Sequence, residues 1–232
     1  MDFNYINKKS LVSLDDIINE FQGKSLITIT GLPSSGKTRL ALRITEMVSR
    51  DNSVLYVTLS ETKEQLIKCF TSMITGVSYK DINKELSKEK IDDIKKTLGN
   101  YSNNKILIAD NSDLTLEQLD KLCTDTKLKN KDLKLIVIDK HVSLNVNEFN
   151  SFSERTTAIL DKLNNISCNL NVPIVMIYNT RRSVPSVPSV PNDDDLHILI
   201  QRSDIVINTV NLDGNFEISV DKNNLGATGI IK

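Results

Sequence analysis

Eight residues constrain this chain more than any others. Gly31-Leu32-Pro33-Ser34-Ser35-Gly36-Lys37-Thr38 fits G-x-x-x-x-G-K-[ST], the spacing of a phosphate-binding loop. The flanks suit it: Ser25 to Thr30 reads as a buried strand, and Thr38 to Arg50 as a helix with Leu40, Leu42, Ile44 and Met47 apolar. Strand, glycine-rich turn and helix is what the chemistry requires. Successive backbone N–H groups and a helix N-terminus cradle phosphates, and glycine lets the backbone come close. Gly31, Pro33, Ser34, Ser35, Gly36, Lys37 and Thr38 are therefore the expected nucleotide contacts, with Lys37 reaching the β- and γ-phosphates and Thr38 offering its hydroxyl to Mg²⁺. The plainer alternative is a glycine-rich turn that binds nothing.

A second acid completes such a site. Leu133 to Asp139 is an apolar strand ending in a carboxylate, which places Asp139 to position the metal. Asp110 is its rival, because Lys105 to Asp110 also runs apolar into an acid. The longer, more hydrophobic strand favours Asp139, and a carboxylate that merely caps the following loop is the other reading of it. In open α/β sheets ligands bind beyond the carboxyl ends of the strands. That rule brings Asp139, Asn179 and the Ser60-Glu61 pair to one rim, where Asn179 would orient water or sense the γ-phosphate.

The rest of the chain supplies the sheet. Ser53 to Leu59 and Val172 to Tyr178 read as further strands, and helices are expected over 61–75, 114–128 and about 148–170. Unbroken apolar strands alternating with helices indicate an α/β fold, a mainly parallel sheet covered on both faces. Residues 77–104 are polar and Lys-rich, read as one or two surface helices. Ser-Val-Pro three times over at 183–191, followed by Asn192 and Asp193 to Asp195, reads as a mobile loop. Ile205 to Thr209 and Phe216 to Val220 around Asp213-Gly214 form a C-terminal hairpin, followed by a short strand at 230–231. Residues 1–24 are a short lead-in, with a helix starting at Ser13 and ending at Gly23, and 25–232 one domain.

Composition excludes some classes. The net charge is −1 with 25% charged residues, so nothing global advertises a polyanion or a membrane surface. Cys69, Cys123 and Cys168 lack metal spacing and read as idle thiols. No apolar run reaches the roughly 18 residues of a membrane helix, and Met1-Asp2-Phe3-Asn4 is no signal peptide, so a cytoplasmic protein is expected.

Taken in order, these motifs resemble the RecA-like motor domain of the bacterial replicative DNA helicase family, the DnaB type. The resemblance runs from Leu14 to Ile231: the loop with its Pro-Ser pair, Val54 to Leu66, Leu135 to Asp139, the run from Asn171 through Val184, and Lys222-Asn223 with Gly226 to Gly229. It implies a P-loop ATPase fold, ATP and Mg²⁺ as cofactors, Lys222 as a nucleotide contact, a hexameric ring, and movement along single-stranded DNA. The departures temper the activity expected. The family's water-activating glutamate falls at Ser60, with Glu61 one place later; its sensor glutamine is Asn179; its arginine finger falls at Asn224, leaving Lys222. A one-residue slip turns a side chain to the other face of a strand unless the strand end re-aims it. The family's DNA-gripping loop is here the Ser-Val-Pro segment with Arg181 and Arg182 before it and the acidic run after it, so weak DNA binding is expected. The family's helical N-terminal domain, the collar that helps to organise the ring, is expected to be missing. Three functions follow: a helicase ATPase with weak turnover, Lys37, Glu61, Asp139 and Asn179 carrying the chemistry; an ATP-binding paralogue that pairs with itself or a helicase as a regulatory module; or, from fold analogy alone, a recombinase-like or clock-type RecA-fold ATPase.

Overall fold

The computed structural model describes residues 11–21, 23–82, 84, 86–139, 152–180, 194–212 and 215–231. Among the described residues, nine strands form one sheet in the order β1-β9-β8-β7-β2-β6-β5-β3-β4. β2 (Leu26–Gly31), β3 (Ser53–Thr58), β4 (Ile106–Asp110), β5 (Leu133–Asp139), β6 (Ile174–Ile177) and β7 (Ile205–Leu212) run parallel, whereas β8 (Asn215–Asn223) is antiparallel to both β7 and β9 (Gly229–Ile231). β1 (Leu11–Val12) closes one edge by pairing parallel with β9. The mainly parallel α/β sheet with a C-terminal hairpin is therefore present.

Every residue of β2 and β3 is buried, because helices cover both faces. On one face α1 (Leu14–Asn19), α2 (Lys37–Ser49) and α3 (Lys63–Thr75) close a core that includes Ile17, Ile29, Leu40, Ile44, Tyr56 and Val137. On the other, α6 (Leu116–Lys129), α7 (Phe152–Leu170) and α8 (Asp194–Arg202) enclose Val57, Ile138, Leu160, Met176 and Leu199. The helix ends are specified locally. Thr62 with Gln65 and Thr115 with Gln118 form complete capping boxes, and Gly76 ends α3 in the left-handed conformation. α4 (Tyr79–Ile82) and α5 (Lys88–Gly99) bury no residue fully, as expected of surface helices.

Several elements differ from the sequence expectations. α1 ends at Asn19 rather than Gly23. The hairpin strands are longer than expected, pairing from Ile205↔Asn223 to Leu212↔Asn215. Helix α8 begins at Asp194, inside the acidic run read as loop. Arg181, Arg182, the Ser-Val-Pro repeats, Asp193, the hairpin turn at 213–214 and the expected helix start near Glu148 lie outside the described residues. Among the described residues no helix is long and apolar enough to cross a membrane.

Candidate nucleotide site

The loop leaves β2 at Gly31, whose φ of +147° is open to glycine alone. A Cβ there would strike the Thr209 carbonyl and lie 2.6 Å from Ser35 Oγ. Ser34 (φ 64°) and Gly36 (φ 92°) are also left-handed, so the backbone winds into a concavity before α2 begins at Lys37. Hydroxyls and the lysine hold that shape. Lys37 Nζ donates to Gly31 O at 2.9 Å, to Leu32 O at 2.5 Å and to Ser35 Oγ at 3.3 Å. Ser35 and Thr209 hydroxyls lie 2.6 Å apart, and Thr209 Oγ1 donates to Thr30 O at 3.2 Å, so β7 braces the loop. Thr38 is half-buried in the first turn of α2.

The two acids occupy different places in the sheet. Asp110 and Asp139 flank Thr58 on either side, level with each other. Asp110 sits on the edge strand, exposed, and its Oδ2 accepts from Lys63 N at 2.9 Å, capping α3. Asp139 is 1% exposed and only two strands from β2. It shares the α2 face with Leu135 and Val137, as strand alternation requires. Its Oδ2 accepts from Tyr56 Oη at 2.9 Å. Burial, then the Asp139 charge and this bond, push the Tyr56 phenol well above its ordinary range, with a further push from Glu61.

Glu61 belongs to the same neighbourhood. β3 stops at Thr58, whose Oγ1 donates to Glu61 O at 2.9 Å and accepts from Glu61 N at 3.1 Å. That tight turn leaves Ser60 exposed and Glu61 half-buried. The Cys69 thiol is raised by burial, then by the charges of Glu61 and Asp139. Asn179 follows β6, half-buried and straddled by Tyr178 N→Ile29 O (2.8 Å) and Thr180 N→Gly31 O (3.1 Å), which hold it level with the start of the loop.

Lys222 is not brought to this rim. It pairs with Val206 at the far end of β7 and donates to Ile200 O at 2.7 Å and Ser203 O at 2.6 Å, at the C-terminal end of α8. Within its own chain Lys222 therefore stands at the opposite end of β7 from Thr209 and the loop. Asn224 N donates to Asp204 O at 2.9 Å, at the same far end.

Sequence reasoning missed the residues beside the loop. A cleft of about 570 Å³ continues from Ser35 and Gly36 between Arg39, Arg43, Tyr101 and Phe216. No motif signals them, because the hairpin brings Phe216 to Gly36 across 180 residues of chain. Tyr56 was visible only as a strand residue.

The oxygen donors Thr38 and Asp139 suit a hard cation such as Mg²⁺, which takes one or two protein ligands and completes its shell with phosphates and water. The glycine concavity fits a phosphate chain.

Comparisons with known proteins agree with this architecture. The family model for the DnaB-like helicase C-terminal domain matches residues 8–232. The replicative DNA helicase DnaB of Buchnera aphidicola subsp. Baizongia pistaciae is 25% identical over 94% of this chain and 51% of its own length. That of Helicobacter pylori J99 is 24% identical over 75% of this chain and 36% of its own length, so the chain spans about half or less of these relatives. In fold, a solved structure of an ATPase domain superimposes with a TM-score of 0.81 at 20% identity, covering 97% of this chain and 88% of that one. With the family model running through loop, sheet and hairpin alike, the chain belongs to the DnaB-like helicase C-terminal domain family.

Proposed function

We propose that this chain binds ATP with Mg²⁺ and hydrolyses it slowly, as the motor domain of a replicative helicase that couples hydrolysis to movement along single-stranded DNA. One observation supports the reading: a wound phosphate loop and a buried carboxylate stand at the carboxyl ends of strands two places apart in one sheet. Lys37 and the loop N–H groups bind the phosphates, and Thr38 with Asp139 holds Mg²⁺. The metal, when bound, neutralises charge on the β- and γ-phosphates. Glu61 takes the proton of the attacking water as its oxygen bonds to the γ-phosphorus and the bond to ADP breaks. Asn179 orients that water. The purine occupies the cleft of Phe216 and Tyr101, where an aromatic face contributes roughly 1–3 kcal/mol.

Turnover is slow because the finger position is Asn224 and Lys222 is committed to α8. Those same two residues favour a second reading, in which the chain binds ATP without appreciable hydrolysis and acts as a regulatory partner. An ATPase assay with and without single-stranded DNA separates the two. For both, Lys37→Ala should abolish binding of a fluorescent ATP analogue. Affinity retained within about twofold, under half a kcal/mol, overturns the site.

A further inference from the structure

We propose that Tyr56 is a positioning residue of the metal–nucleotide site, its hydroxyl setting the orientation of the Asp139 carboxylate. Thr58 pairs with Asp139 and Tyr56 with Val137, so the tyrosine stands one pleat below the acid on the same face of the neighbouring strand. From there its ring fills the core beneath α2 while its tip reaches up to Asp139 Oδ2 at 2.9 Å. Both residues are buried, at 0% and 1% exposure. Packing alone asks only for the ring, and a phenylalanine would supply it. The hydroxyl is an added polar atom in an apolar layer, and such a group is retained where it has a partner. Its partner is the carboxylate at the end of β5. A hydrogen bond from a group locked in the core fixes the plane of a short side chain that otherwise turns about two bonds. Outer residues that orient a metal's carboxylate in this way commonly contribute ten- to hundredfold in metal affinity, roughly.

The proposal rests on the assignment of Asp139 to Mg²⁺ above, and its test keeps the two apart. The affinity of a fluorescent ATP analogue is titrated against Mg²⁺, and measured in excess EDTA, for wild type, Tyr56→Phe, Asp139→Asn and the double variant. Tyr56→Phe should leave the Mg²⁺-free affinity within about twofold and raise the Mg²⁺ concentration for half-maximal effect about tenfold. In the Asp139→Asn background it should change nothing further. A packing defect would add equally in both backgrounds, so the cycle decides even if Tyr56→Phe lowers thermal stability. A normal Mg²⁺ requirement in Tyr56→Phe, with Asp139→Asn impaired, overturns the role of Tyr56 alone. An unaltered Mg²⁺ requirement in Asp139→Asn overturns the metal assignment and this inference with it.

Discussion

Glu61 shows how little distance separates a lost catalytic group from a displaced one. Its backbone is tied on both sides to the Thr58 hydroxyl, and its charge helps to raise the Cys69 thiol, after burial. If it is the base, Glu61→Gln should lower ATP turnover at least about a hundredfold, the lower range for a general base, while Ser60→Ala leaves it unchanged. Steady-state phosphate release checks both. Another residue reports on pH. Burial, and then the Asp120 charge, push the Cys123 thiol up from 9.0 to about 12. Folded and unfolded forms are both protonated below pH 9.0, and between there and about 12 only the unfolded chain gives up its proton. Stability is therefore fully present below that window and lost through it, at up to ~1.4 kcal/mol per pH unit. Urea midpoints measured from pH 8 upward should fall more steeply for wild type than for Cys123→Ala.

Among the elements, α2 matters beyond its first turn. Glu46, wholly buried, takes Arg43 Nη1 at 2.5 Å and Arg50 Nη2 at 2.7 Å, and the bond holds the Arg50 guanidinium above its ordinary value. Asn104 Nδ2 donates to Glu46 O at 3.2 Å and Ser49 Oγ at 2.7 Å, fastening the helix to the lead-in of β4. Glu46→Ala should cost about 2 kcal/mol, since charge-assisted bonds are lost while the half-exposed arginines rehydrate. Denaturant unfolding measures it directly. Legibility also divides by element. β2, the loop and α2 were readable because an apolar run, a glycine pair and a helical period coincide within 25 residues. β5 was readable because Lys134 is the one exposed residue in a run that is otherwise buried. α8 was not, since three aspartates after a proline carry loop chemistry until tertiary packing buries Leu199. The Tyr56–Asp139 bond was beyond reach. Alternation tells which face a side chain takes, never which strand lies beside it.

For the whole molecule the open quantity is affinity for DNA. The formal charge is −1, and the segment that the sequence resemblance assigns to the family's DNA loop sets Arg181 and Arg182 against Asp193, Asp194 and Asp195. Carboxylates release no counterions from a phosphate backbone, so isolated chain should bind a single-stranded oligonucleotide no tighter than ~10 μM at physiological salt. Anisotropy across a salt series reads this out, and tight binding with a steep salt slope would count against the weak-motor reading. The edge of the sheet has a mechanical meaning as well. β1 joins β9 through two residue pairs, β9 joins β8, β8 joins β7, and β7 carries Thr209, which braces Ser35. β1 makes the fewest pairs in this series, so under load it is the first strand to part from the sheet; the core-buried Ile17 of α1 then holds the chain, as a knot stops a slipping cord, and leaves β9, β8 and β7 paired beside the loop.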